Sequence, residues 1–265
     1  MNSNGKYSLI FNFLFTVFML APLIVVIGVS VTPTGYLEFP PSGFSLRWFQ
    51  AILDNPEFIE AAWISLKLGI CSASVATVVA VPAALAIGRE RFAGRDALQG
   101  LFLSPLTVPT VVLGIAFLRL LSLFEINGTF IGLTLCHAII ITPFVLRLVL
   151  SSVIGIDRSI EKAAVSLGAS DLTVFRRVTL PLIMPGVVGG WVLAFITSFD
   201  ELTVTVFIAN PSTTTLPVRL FSHITQTTDP LIASVSTVVI LFTVGLMLLL
   251  NRFYGLDRLL IGESK

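Results

Sequence analysis

The sequence predicts an all-α, polytopic membrane protein with six transmembrane helices and one polar helical loop on the cytoplasmic side. Three observations carry that reading. Charged residues are 12% and hydrophobic residues 55% of 265 positions, with a mean hydropathy of +0.97. Soluble domains carry about 25% charged residues, so this chain has too little polar surface to cover a globule in water. Apolar runs of twenty residues or more recur along the chain, and about 20 suffice to cross the hydrocarbon. In lipid each backbone polar group must be satisfied internally, which selects helices. Finally, the lysines and arginines collect in alternate connecting segments. The net charge of +1 excludes a strongly basic nucleic-acid binder.

Residues 1–7 are short and polar. Ser8–Val31 reads as a first, retained span, because a signal-peptide core is only about 7–15 residues. Thr32–Glu60, rich in proline and glycine, reads as an outside loop with a short interfacial helix near Leu46–Leu53. Ala61–Gly88 is the second span, and the charged turn Arg89–Asp96 follows. Leu98–Phe124 is the third, expected to kink at Pro105 and Pro109 because proline removes a backbone donor and clashes with the preceding turn. Glu125–Gly128 is a tight turn. Phe130–Ile154 is the fourth span, interrupted by Pro143. A polar insert covers 155–181. Met184–Ile208 is the fifth span, Asn210–Pro230 a second outside loop, and Leu231–Arg252 the sixth span. Twelve of the sixteen lysines and arginines lie on the side of the insert and both termini. The positive-inside rule makes that side cytoplasmic. The domain reading is therefore an N-terminal span and loop at 1–59, a transmembrane domain at 60–252 that holds the other five spans and the polar insert, and a cytoplasmic tail at 253–265.

The insert has helix signals of its own. Asp157 or Ser159 can cap a first helix, and Glu161 sits near its positive end. Ile160, Ala163, Ala164 and Leu167 share one face. Gly168 falls where a left-handed C-terminal cap wants glycine. Ser170 can start a second helix, with Asp171 in its first turn and Arg176-Arg177 in its last, and Pro181 is expected to stop it. From pattern alone this is either a docking element for a soluble partner or an ordinary cytoplasmic loop.

Lys162-Ala163-Ala164, three residues, Gly168, nine residues, then Val178-Thr179-Leu180-Pro181 resembles the EAA motif of binding-protein-dependent ABC importer permeases. Residues 60–252 resemble the type I ABC permease domain. Asp200-Glu201 after Phe199, with Thr215-Leu216-Pro217, is similar to the spermidine/putrescine permease family, second-subunit type. The resemblance implies an ATPase-coupling loop built on Glu161, Lys162, Ala163, Ala164, Gly168, Leu180 and Pro181. It also implies an ATP-binding cassette ATPase dimer, a second permease subunit and a periplasmic or extracellular binding protein as partners, in a bacterial inner membrane. The first motif position is Lys162, with the acid displaced to Glu161. No GxxxxGK[ST] phosphate loop occurs, so ATP is expected on the partner, this chain is expected to need no cofactor, and no catalytic role is assigned.

Asp200 and Glu201 fall in the outer part of the fifth span. Each acid there is costly and should face water, the bundle interior or a base. They are read either as a lining for a cationic substrate or as a structural ion pair with Lys67 or Arg119. His137 reads as a packing and hydrogen-bonding residue, with no metal set around it. Gly186 and Gly190 form a small-residue face for close helix packing. Cys71 and Cys136 read as small buried hydrophobes. Import of another solute, such as an opine, a phosphonate amine or an inorganic ion, is the alternative. An intramembrane enzyme is remote, because Asp200 and Glu201 lie about 100° apart around a helix and no partner nucleophile accompanies them.

Overall fold

Residues 5–254 are described in the computed structural model of the chain, and no strand occurs among them. The expected tail lies outside the described residues from 255 onward. The helices are α1 (Gly5–Ser30), α2 (Arg47–Asp54), α3 (Pro56–Arg89), α4 (Arg95–Leu103), α5 (Thr110–Leu123), α6 (Phe130–Ile154), α7 (Arg158–Ser166), α8 (Asp171–Val174), α9 (Leu180–Phe199), α10 (Thr205–Ile208), α11 (Leu216–Gln226) and α12 (Leu231–Tyr254). Five stretches among the described residues are long and apolar enough to cross a membrane, and α4 with α5 makes a sixth if that bent pair is one span. The described residues fall into two compact units, 5–60 with 219–246 and 61–218 with 247–254.

In the first unit, α1 exposes apolar side chains along its whole length, from Phe11 and Phe15 to Ile24 and Ile27. A surface of that kind suits lipid rather than water. The loop after it is ordered by polar bonds: the Arg47 guanidinium donates to the Pro33 carbonyl at 2.9 Å and the Trp48 indole to that of Thr34 at 3.1 Å. The short helix expected near Leu46–Leu53 is α2. The loop at 210–230 is not wholly irregular, because α11 occupies its middle. Its signal is Leu216-Pro217, proline at a helix start where its missing N–H costs nothing.

The second unit is built on α6 and α9. Gly186 and Gly190 face α6 as the small-residue pattern predicts. A Cβ on Gly186 would lie 2.1 Å from the Ser152 hydroxyl and 2.7 Å from the Leu148 carbonyl, and one on Gly190 would lie 3.1 Å from the Val145 Cα. Beside them α3 buries a stripe of small residues, Ala73, Ala76, Ala80 and Ala84. Leu68, Phe117, Leu121, Leu133, Ile140, Val204 and Ile208 close the apolar core around α5 and α10. Cys136 is buried there, but Cys71 is exposed on the outer face of α3, because it lies off the stripe that meets the core.

Three expectations about proline need correction. Leu98–Phe124 is not one kinked rod but two helices at 101°, since Pro105 and Pro109 remove donors one turn apart and Pro109 is extended (φ −55°, ψ 132°). Pro143 does not interrupt α6. Pro181 does not stop a helix either. A π-helical turn at Phe175–Thr179 joins α8 to α9 into one stretch, Asp171–Phe199. Pro181 falls in the first turn of α9, directly after the π-helical turn, whose wider ring takes up its missing donor. The fifth span is thus Asp171–Phe199 rather than Met184–Ile208.

The glycine face makes a stability prediction. Gly186→Val should lower the stability of the detergent-solubilised chain by about 1–3 kcal/mol, the usual cost of overpacking. Gly190→Ala should cost less. Thermal unfolding checks both, and an unchanged midpoint for Gly186→Val would contradict the packing.

Candidate coupling site and membrane acids

The polar insert begins at the end of α6. Asp157 caps α7, its carboxylate accepting from the Ser159 amide at 2.9 Å. Hydrogen bonds from the Ser159 backbone and then its side chain hold Asp157 below the usual carboxylate range. A depressed folded value means the cap stabilises α7 above the unfolded pKa and is lost as pH falls through the folded one. Gly168 adopts φ +87°, and the Leu167 and Ala169 amides turn back to the Ala163 and Ala164 carbonyls. That left-handed cap is strained for any side chain. Ser170 then precedes α8 as its N-cap residue.

The expected apolar face of α7 is bare in part. Ile160 is 47% and Leu167 89% exposed, Ala163 is exposed between them, and Ala164 is half-buried. The other side of the helix lines a hollow of about 670 Å³ with Arg89, Glu90, Lys162, Val174 and Thr179. Lys162, at the first motif position, is exposed. Glu161 is not: it turns inward, 2.5 Å from the Arg89 guanidinium, and also accepts from the Thr179 hydroxyl. Leu180 and Pro181 lie beyond Thr179 at the start of α9. Arg158 reaches back to the Arg89 carbonyl and Arg95 to that of Ile87, at 2.7 Å for the latter. Cations therefore satisfy the last carbonyls of α3. The sequence reading missed Arg89 and Thr179 as partners of Glu161. Nothing in the spacing announced them, since they lie 72 residues before it and 18 after it.

The two membrane acids have different fates. Helix α9 ends at Phe199, so Asp200 and Glu201 sit in a break and not along a continuous span. Glu201 is consumed locally. Its carboxylate accepts from the Val204 amide at 2.9 Å, the Thr205 amide at 3.0 Å and the Thr205 hydroxyl at 2.7 Å, starting α10. Asp200 remains exposed. Neither acid pairs with Lys67 or Arg119 among the described residues. His137, fully buried, bonds through Nδ1 to the Ser198 hydroxyl at 2.8 Å and through Nε2 to that of Thr205 at 3.0 Å. Thr205 spends its proton on Glu201, so Nε2 donates to the Thr205 oxygen. The reading of His137 as a hydrogen-bonding residue agrees with this. A signal for the break was present: six of the nine residues 197–205 are polar or acidic.

No three histidine, cysteine or acidic side chains come together to hold a metal among the described residues. In the second unit Arg89, Glu161 and Thr179 meet at one carboxylate, and the Thr213 hydroxyl donates to the Gly128 carbonyl at 3.2 Å.

The chain is 31% identical to the spermidine/putrescine transport system permease protein PotC of Haemophilus influenzae, over 90% of this chain and 93% of that one. It is 33% identical to the putrescine transport system permease protein PotI of Escherichia coli K12, over 84% and 82%. It is 34% identical to a putative 2-aminoethylphosphonate transport system permease protein, PhnV, of Salmonella paratyphi A, over 90% of each. Its fold is similar to that of a bacterial ABC transporter involved in the import of alginate, with a TM-score of 0.70 at 18% identity over 93% of this chain and 98% of that one. The profile of a membrane transport family matches residues 76–256. The chain therefore belongs to the family described as the binding-protein-dependent transport system inner membrane component.

Proposed function

We propose that this permease carries polyamines, or related organic cations, inward across a bacterial inner membrane, with both termini cytoplasmic. It works with a second permease subunit, an ATPase dimer and a binding protein on the outer side. The observation that carries this reading is α7: a capped helix on the arginine-rich end, presenting Ile160, Ala163 and Leu167 bare. A side chain 89% exposed and apolar gains from burial against another protein. The ATPase is the partner that the motif implies. ATP binds there, and this chain supplies motion and pathway but no hydrolysis.

Asp200 is the acid of the pair that remains available to a cation. The exposed carboxylate at the end of α9 has no base beside it among the described residues. A transported ammonium group would supply the missing charge. Polyamine as the solute draws its support from the names of the relatives matched over most of both chains.

Three outcomes are expected. Gly168→Val forces a β-branched residue into a left-handed turn at a cost of about 1–2 kcal/mol. It should depress solute-stimulated ATP hydrolysis in the reconstituted complex, and normal uptake with normal stimulation would remove α7 as the coupling element. Asp200→Asn should cut putrescine uptake by about tenfold, the equivalent of about 1.4 kcal/mol, while the complex still co-purifies. Unchanged uptake would make the acid incidental, and uptake of an uncharged or anionic solute instead of putrescine would replace the polyamine reading. The purified chain alone should hydrolyse no ATP, whereas turnover without an ATPase would contradict the division of labour.

A further inference from the structure

We infer that Glu161 is a positioning residue that latches the coupling helix to the inner ends of two spans, not a contact offered to the partner ATPase. This rests on the coupling reading above. Three elements meet at one carboxylate. Glu161 leaves α7, and its Oε1 lies 2.5 Å from Nη2 of Arg89, the last residue of α3. The same oxygen accepts from the Thr179 hydroxyl, one residue before α9. The side chains of Arg89 and Glu161 are only 20% and 16% exposed. A second link runs in parallel, since the Arg158 guanidinium, one turn earlier on α7, donates to the Arg89 carbonyl. Glu161 has thus spent its charge inside the chain. The charge left outward at the motif is Lys162.

Geometry makes this arrangement a transmission. Glycine in a left-handed turn follows α7, and a wider π-helical turn, Phe175–Thr179, precedes α9. The covalent route from α7 to α9 therefore runs through the Gly168 turn and then along the π-helical turn into α9. The Glu161 bonds bypass both and tie α7 directly to α3 and to the base of α9. A pull on the exposed face of α7 then moves both spans together. Without the bonds, α7 can follow the ATPase while the spans lag behind.

The test uses the complete transporter in proteoliposomes: both permeases, the ATPase dimer and the binding protein, with putrescine as the solute. Glu161→Ala should leave co-purification of the ATPase intact and raise the ATP hydrolysed per putrescine imported by about tenfold, the scale expected when a coupled contact is lost. Arg89→Glu should do the same. The double variant Arg89→Glu with Glu161→Arg should recover several-fold over either single change, because it restores the bond with its charges exchanged. Thr179→Val should give a smaller rise. Loss of ATPase binding in Glu161→Ala would make Glu161 a docking contact and overturn the latch. A wild-type ratio in Glu161→Ala, or no recovery in the exchanged pair, would overturn it as well. Absence of ATP-driven uptake in the wild-type complex would sink the transport reading itself, a result distinct from any failure confined to the variants.

Discussion

The backbone of this chain must find its hydrogen-bond partners within the protein wherever lipid replaces water, and the rest of the structure depends on that constraint. Most of the chain meets it by staying helical, as in the uninterrupted 25 residues of α6. Where the helix must stop, polar side chains assemble to complete the accounting. At the end of α9, Glu201 receives two backbone amides and the Thr205 hydroxyl, while His137 bridges Ser198 and Thr205. That cluster allows an irregular turn in an apolar setting, and the turn carries Asp200.

At the opposite end of the second unit the same rule takes a charged form. The last carbonyls of α3 are met by the guanidinium groups of Arg95 and Arg158, and Arg89 itself is neutralised by Glu161. A loop with this many internal bonds is a rigid element rather than a floating connection. Its bare residues, Ile160, Ala163 and Leu167, are then displayed from a fixed base.

Much of the fold and half of the candidate site were legible in the chain itself. The boundaries of α6 and the existence of α1, α3 and α12 follow from apolar run length. The cap at Asp157 and the turn at Gly168 follow from short-range chemistry, in which a residue's partners lie within five positions. Proline was the least legible signal. Pro105 and Pro109 produce a full break, Pro143 none, and Pro181 is absorbed by a π-helical turn. The difference lies in what surrounds each ring, because neighbouring turns and side chains decide whether a missing donor matters. The pair Asp200-Glu201 looked equivalent in sequence and is not, since only Glu201 can reach the amides of the next helix.

What the sequence determined by itself was the class of protein, the order of its apolar segments and the motif on its polar loop. Those properties reside in composition and in local spacing, and they need no knowledge of what touches what. The tertiary structure alone decided which way Glu161 points, that Arg89 and Thr179 are its partners, and that His137 joins α6 to the break after α9. Those pairings join residues 18 to 72 positions apart, brought together by helix packing against Gly186, Gly190 and the alanine stripe of α3. A bond between side chains so distant in the chain leaves no periodicity to read, because it exists only once the helices have packed.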